Sequence, residues 1–165
     1  MATIDVIIET PKGSSQKYDY DPKKKLFELN KILPSGMIFP YDFGFIPDTK
    51  GEDGDPLDVI VISEFNSFPG CLMKCRMIGV IQAEQSEKPG KAKLIRNDRY
   101  LAIPRYSNIF EKISSCEDLP DKTLTELEDF FAYYNKHEGK EFHILEICGK
   151  REAARMLQKE GVLGD

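Results

Sequence analysis

The first two thirds of the chain carry a succession of short apolar runs, several with a period of two and set off by turn signals, and few folds accept that pattern. "TIDVIIET" alternates and stops at Pro11-Lys12-Gly13-Ser14, and "QKYDYD" alternates again. "KKLFELNKIL" follows with Leu26, Phe27, Leu29, Ile32 and Leu33. The segment "PSGMIFPYDFGFIPDT" sets three prolines and two glycines among aromatics, so it reads as a packed, irregular loop. Strands are predicted over "LDVIVIS", "CLMKCRMIGVIQAE" and "DRYLAIPR", the first two joined through the turn-rich "NSFPG". The polar "QSEKPGK" is expected to project into solvent.

The last third changes period. After Pro120, Asp121 is expected to cap a helix in which Leu124, Leu127, Phe131 and Tyr134 fall at helical spacing, with Phe130 alongside, and Gly139 ends it. "EFHILEICG" is a closing strand and "KREAARMLQKEG" a final amphipathic helix ended by Gly161. Many short strands followed by helices predict an α+β protein, its strands curled into a small closed β-barrel flanked by two main C-terminal helices. With 165 residues and no repeat, low-complexity tract or linker, one domain is expected.

A net charge of −5 without a dense Lys/Arg cluster argues against a nucleic-acid surface. No apolar stretch approaches the roughly 20 residues that span a bilayer. "MATIDVIIET" lacks the basic and apolar regions of a secretory signal, which makes the cytoplasm the expected location. Cys71, Cys75, Cys116 and Cys148 form no CxxC pair and read as buried free thiols, with Cys71 and Cys75 on one strand face. His137 and His143 have no partner at ligand spacing and read as surface or structural residues.

The chemistry concentrates in "GEDGDPLDVIVI", where Asp53, Asp55 and Asp58 immediately precede a buried strand. Like charges this close repel, and each loses hydration as it nears the interior. Extended backbone turns Asp53 and Asp55 to the same side, Gly54 lets the chain fold closely, and Asp58 comes back near the pair. Three hard oxygen ligands without His or Cys suit Mg²⁺ or Mn²⁺ rather than zinc. An EF-hand fails, although Glu64 is twelfth from Asp53: the sixth position is Asp58 where glycine is needed, and a strand follows. An acidic, solvated turn is the alternative reading.

"GDPLDV", with "IIETPKGSSQKYDYD" upstream and "FPYDFGFIPDT" between them, resembles the soluble inorganic pyrophosphatases of the first family, from about Asp5 through the C-terminal helix. The resemblance implies an OB-like barrel, a homo-oligomer, and hydrolysis of diphosphate with several Mg²⁺ ions. It implies that Asp53 and Asp58 are the main metal ligands, Asp55 the base that takes a proton from water, and Glu9 a carboxylate near the site. Lys17 and Tyr134 then bind phosphate, Asp19 stands where a glutamate serves a further metal, and Arg99 replaces a phosphate-facing lysine.

Departures from the family pattern are several. Lys31 stands for a phosphate-clamping arginine, which keeps the charge and loses the fork. Phe39 and Phe43 replace tyrosines, Asp42 an asparagine, and Asn135 a lysine, with Lys136 adjacent. Aligned on "LAIP", one carboxylate of the second metal pair becomes Asn97, with Asp98 next to it, and its partner is Glu84 or Glu87. The chain is therefore either a divergent member, a relative retuned to another phosphoanhydride, or a metal- and phosphate-binding module without turnover.

Overall fold

The computed structural model describes residues 2–90 and 93–164; Lys91, the end of the "QSEKPGK" stretch, lies outside them. Nine strands and two helices follow in the order β1 (Ile4–Thr10), β2 (Gln16–Asp21), β3 (Leu26–Ile32), β4 (Asp42–Phe45), β5 (Asp58–Val61), β6 (Leu72–Ser86), β7 (Leu94–Arg96), β8 (Arg99–Pro104), α1 (Asp121–His137), β9 (Phe142–Gly149) and α2 (Lys150–Lys159). Strands β1, β4, β5, β8 and β6 pair in that order, and β6 also pairs with β1, which closes a five-stranded ring. β7 and β9 extend the sheet from β6, while β2 and β3 form a separate two-stranded hairpin. The expected barrel with two C-terminal helices is present.

Alternation builds the core from both faces of the ring. Val6 and Ile8 of β1, Val59 and Val61 of β5, Val80 of β6 and Ala102 of β8 form one cluster, closed by Ala153 and Leu157 of α2. On the other face Ile60, Ile81, Leu101 and Ile103 pack against Leu127, Phe130 and Phe131 of α1. β6 feeds both clusters because its register against β8 shifts between Met77 and Gly79, a bulge that changes which parity faces inward.

Three expectations are corrected in detail. The irregular aromatic segment contains β4, whose Gly44 and Phe43 pair with β1 and β5. The N-cap position of α1 is Pro120, so Asp121 opens the first turn, where its carboxylate still faces the positive end of the helix dipole. Cys75 is buried on its strand, whereas Cys71 lies before β6 and is partly exposed; all four cysteines are free thiols.

Gly44 is required by close approach. A Cβ built there would lie 2.2 Å from the Ile7 carbonyl oxygen and 3.0 Å from its carbon, both backbone atoms of the neighbouring strand. Gly44→Ala is therefore expected to force β1 and β4 apart and to lower stability by about 3 kcal/mol, the upper end of ordinary overpacking costs. Urea denaturation of the variant against the parent protein measures it.

Candidate active site

The acidic loop between β4 and β5 is stapled by its own polar groups. Ile46 N–H donates to the Leu57 carbonyl at 3.0 Å. The Thr49 hydroxyl accepts from Leu57 N–H at 2.9 Å and donates to the Ile46 carbonyl at 2.6 Å. At the tip, Gly51 N–H meets the Asp55 carbonyl at 2.7 Å, and Gly54 adopts φ +87°, a conformation costly for any residue with a Cβ. This frame delivers Asp58 to the first position of β5.

Strand register then brings charges from distant sequence to one rim. Asp58 pairs with Phe45 on one side and with Arg99, in parallel, on the other, while Phe45 pairs with Ile7, two residues before Glu9. A cavity of about 840 Å³ opens there, lined by Glu9, Lys17, Asp19, Lys31, Asp53, Asp55, Asp58, Asn97, Arg99 and Tyr134. Eleven of the thirteen candidate site residues named from the sequence thus share one cavity, Glu87 with the ten above, and Phe39, Phe43, Phe130 and Phe131 form its apolar wall.

The electrostatics are those of a crowded, partly dehydrated acid cluster. Burial is the main cause that pushes the Glu9 carboxyl up to about 7, with Asp19 and Asp58 adding to it against the Tyr20 N–H and Lys17. Asp58 is pushed up to about 6 by burial and by Asp53 and Asp55, against the pull of Arg99 and Lys17. Burial also raises Asp53. Among the cations, burial lowers Arg99. Burial also works against protonated Lys17, but Tyr134, Asp19 and Glu9 outweigh it and leave Lys17 raised.

Each cation is held in place. The buried Arg99 guanidinium donates to the Asn97 carbonyl and to Gln85 Oε1, both at 2.8 Å, and stacks 4.4 Å from the centre of the Phe131 ring. Lys17 Nζ lies 3.2 Å from Asp19 Oδ1. Lys31 Nζ donates to Glu138 Oε1 at 2.7 Å and stands 5.5 Å from the Tyr134 ring centre.

The expected convergence of Asp53, Asp55 and Asp58 is only partial. Among the described residues no three acidic, His or Cys side chains are grouped closely enough to hold an ion. Asp53 Oδ1 instead accepts the Asp55 N–H at 3.0 Å, and Asp55 is exposed. The donor chemistry nonetheless fits a hard divalent cation. Asp53 and Asp58 offer only carboxylate oxygens; burial raises both, with Asp55 adding to it at Asp53 and Asp53 and Asp55 at Asp58, a penalty that a bound cation relieves.

Two residues singled out from the sequence do not face the cavity. Asp98 accepts two hydrogen bonds from Arg96, at 3.0 and 2.9 Å, and one from Ala83 N–H at 3.1 Å. Its neighbour Asn97 faces the cavity instead, as adjacent residues of extended chain point oppositely. Glu84 sits opposite Arg96 and His143 in the sheet and is absent from the cavity wall. The residue that sequence reasoning missed is Gln85, which faces the cavity and grips Arg99; Glu87 stands on the same wall. Strict alternation from the start of β6 misplaces Gln85 because Ile78 is an extra residue against β8, between the Met77–Ala102 and Gly79–Leu101 pairs, and shifts the parity of everything beyond it.

Comparison with known proteins agrees with the geometry. The family model for inorganic pyrophosphatase matches residues 6–161. The inorganic pyrophosphatase of Saccharolobus solfataricus is 37% identical over 96% of this chain and 90% of that protein. That of Methanosarcina acetivorans is 34% identical over 93% and 88%. Among solved structures, an inorganic pyrophosphatase from Coxiella burnetii superposes with a TM-score of 0.86 at 29% identity, covering 96% of this chain and 93% of that one. One from Helicobacter pylori gives 0.87 at 26% identity, covering 96% and 91%. A barrel of this closure, with its acid and base residues gathered at one rim, belongs to the inorganic pyrophosphatase family.

Proposed function

We infer that this chain hydrolyses inorganic diphosphate to two phosphates in the presence of a divalent cation, Mg²⁺ or Mn²⁺. The observation that carries the reading is the meeting, in one cavity, of an acidic group that needs a cation with a basic group that needs an anion. Asp53, Asp58 and Glu9 line the same cavity as Lys17, Lys31, Arg99 and the Tyr134 phenol, with Arg99 on the rung beside Asp58. A bound divalent ion supplies Lewis acidity that offsets phosphate charge and makes water a stronger acid.

The chain's own residues do the rest. Asp53 and Asp58 hold the cation. Asp55, exposed at the loop tip, accepts the proton of the attacking water. Arg99, fixed by Asn97 and Gln85, presents its guanidinium to a phosphoryl group without a change of rotamer, and Lys17 and Lys31 balance charge on the leaving phosphate. Glu9 and Asp19 set the field around Lys17. In this reading the chain acts as a single domain, in the cytoplasm, as a homo-oligomer. Exposed Leu26, Leu29 and Ile32 on the hairpin are the kind of apolar surface that assembly covers.

Phosphate release from diphosphate is expected with Mg²⁺ and is expected to vanish with excess chelator. Release that persists in chelator overturns the mechanism. No release at any Mg²⁺ or Mn²⁺ concentration points to a binding module without turnover.

The two loop aspartates should separate by assay. Asp55→Asn is expected to cut kcat on the order of 10²–10⁴-fold while leaving metal affinity near that of the parent. Asp58→Asn should weaken metal binding directly. Calorimetric metal titration alongside initial rates distinguishes them, and equal loss of metal from both removes Asp55 from the role of base.

The raised carboxyls also set a pH dependence. Glu9 moves from 4.5 to about 7 and Asp58 from 3.8 to about 6, so between those values the folded chain binds more protons than the unfolded one. Their contribution to stability is complete below the unfolded values and is lost as pH rises through about 6 and about 7. Mg²⁺ is therefore expected to raise Tm more at about pH 8 than at about pH 5, and Glu9→Gln to shrink that difference. Thermal scans at both pH values, with and without Mg²⁺, read it out.

A further inference from the structure

The β2–β3 hairpin stands outside the barrel ring, yet it carries Lys17 and Lys31 as direct cross-strand partners at the cavity. At that end Lys31 is tied to α1 through Glu138, its Nζ 2.7 Å from Oε1. Glu138 follows Tyr134 by one helical turn and is the C-cap residue, so the carboxylate and the phenol face the same side. A carboxylate at a helix C-terminus meets the negative end of the dipole, which leaves Lys31 as its stabilising partner. The two side chains are 30% and 28% exposed, wet enough to exchange partners with a solute anion.

We propose that Glu138 is a positioning residue that holds Lys31 over the cavity between turnovers and competes with phosphate for it. The proposal rests on the reading of Lys31 as a phosphate-binding residue. A phosphate oxygen that reaches Lys31 replaces one oxyanion by another, so its net gain is reduced by the worth of the Lys31–Glu138 pair. The same competition lets Lys31 return to Glu138 as a phosphate leaves, which weakens the grip on product. A lysine suits this exchange: its ammonium is a point charge that accepts a new oxygen partner without matching a fork.

Titration of inorganic phosphate into the Mg²⁺-loaded protein, followed by calorimetry, tests it. Glu138→Gln is expected to tighten phosphate binding about threefold, the scale of a partly exposed ion pair, and to deepen product inhibition by the same factor. Lys31→Met is expected to weaken binding, and Glu138→Gln added to Lys31→Met to change nothing further. Unchanged or weaker binding in Glu138→Gln overturns the proposal. So does an equal tightening in the Lys31→Met background, because Glu138 then acts through its general field and not through Lys31. If Lys31→Met alone leaves phosphate affinity intact, Lys31 is removed from the phosphate site, and the proposed competition falls with it.

Discussion

β6 is the strand on which the rest of the molecule depends. Its fifteen residues hydrogen-bond to β1 at one end, to β8 through the middle, and to β9 and β7 toward the other end. Pairing with both β1 and β8 converts an open sheet into a ring and removes its edges, which an isolated sheet must otherwise protect. A strand of that length cannot pair on both sides and stay straight. An extra residue at Ile78 of β6 against β8, and one at Leu145 of β9 against β6, absorb the curvature. The outcome is a frame in which Phe45, Asp58 and Arg99 are neighbours by backbone bonding alone. The site is thus positioned by strand register before any side chain contributes.

That frame explains how the acids and bases coexist. Asp58 and Arg99 share a rung, and each lessens the other's burial cost: Arg99 pulls Asp58 down, and Asp58 pulls Arg99 up. Neither is satisfied, since burial still dominates both. Glu9 and Asp53 add negative charge from neighbouring elements, so the carboxylate side retains an unmet demand for a cation. On the other side Lys17 is shared between Asp19 and the phenol of Tyr134, and Lys31 between Glu138 and the same phenol. The acidic and basic groups line the same cavity, with Arg99 on the rung beside Asp58.

Much of this was legible in the chain. Short apolar runs mark four of the five ring strands, β4 being the exception, and the helical spacing of Leu124, Leu127, Phe131 and Tyr134 marks α1 with its buried face. Glu9 and Arg99 are named by the resemblance alone and Asp58 by both spacing and resemblance, and strand register brings all three to one cavity. What failed depends on long-range pairing. Glu84 and Gln85 are adjacent, and the extra residue at Ile78 of β6 decides which of them faces the cavity. No local pattern announces that Asp98 takes hydrogen bonds from Arg96 and from Ala83 N–H while Asn97, its neighbour, lines the cavity. β7 is three residues long and exists through its pairing with β6, so no local pattern announces it.

The groups that hold Arg99 bear on how charge is apportioned in this site. Its two hydrogen-bond partners are neutral, a side-chain amide oxygen and a backbone carbonyl, and its stacking partners are the rings of Phe131 and Phe142. Such a cradle fixes the direction of the guanidinium and removes little of its charge. A carboxylate at position 85 would orient Arg99 equally well and neutralise it, and a carboxylate at either 85 or 97 would add attraction for a further divalent ion. With Gln85 and Asn97 in those places, this part of the cavity attracts anions through Arg99 rather than cations through acids. The chain therefore has fewer acidic groups for metal and a less neutralised protein cation for phosphate. Both follow from two amides that face the same cavity.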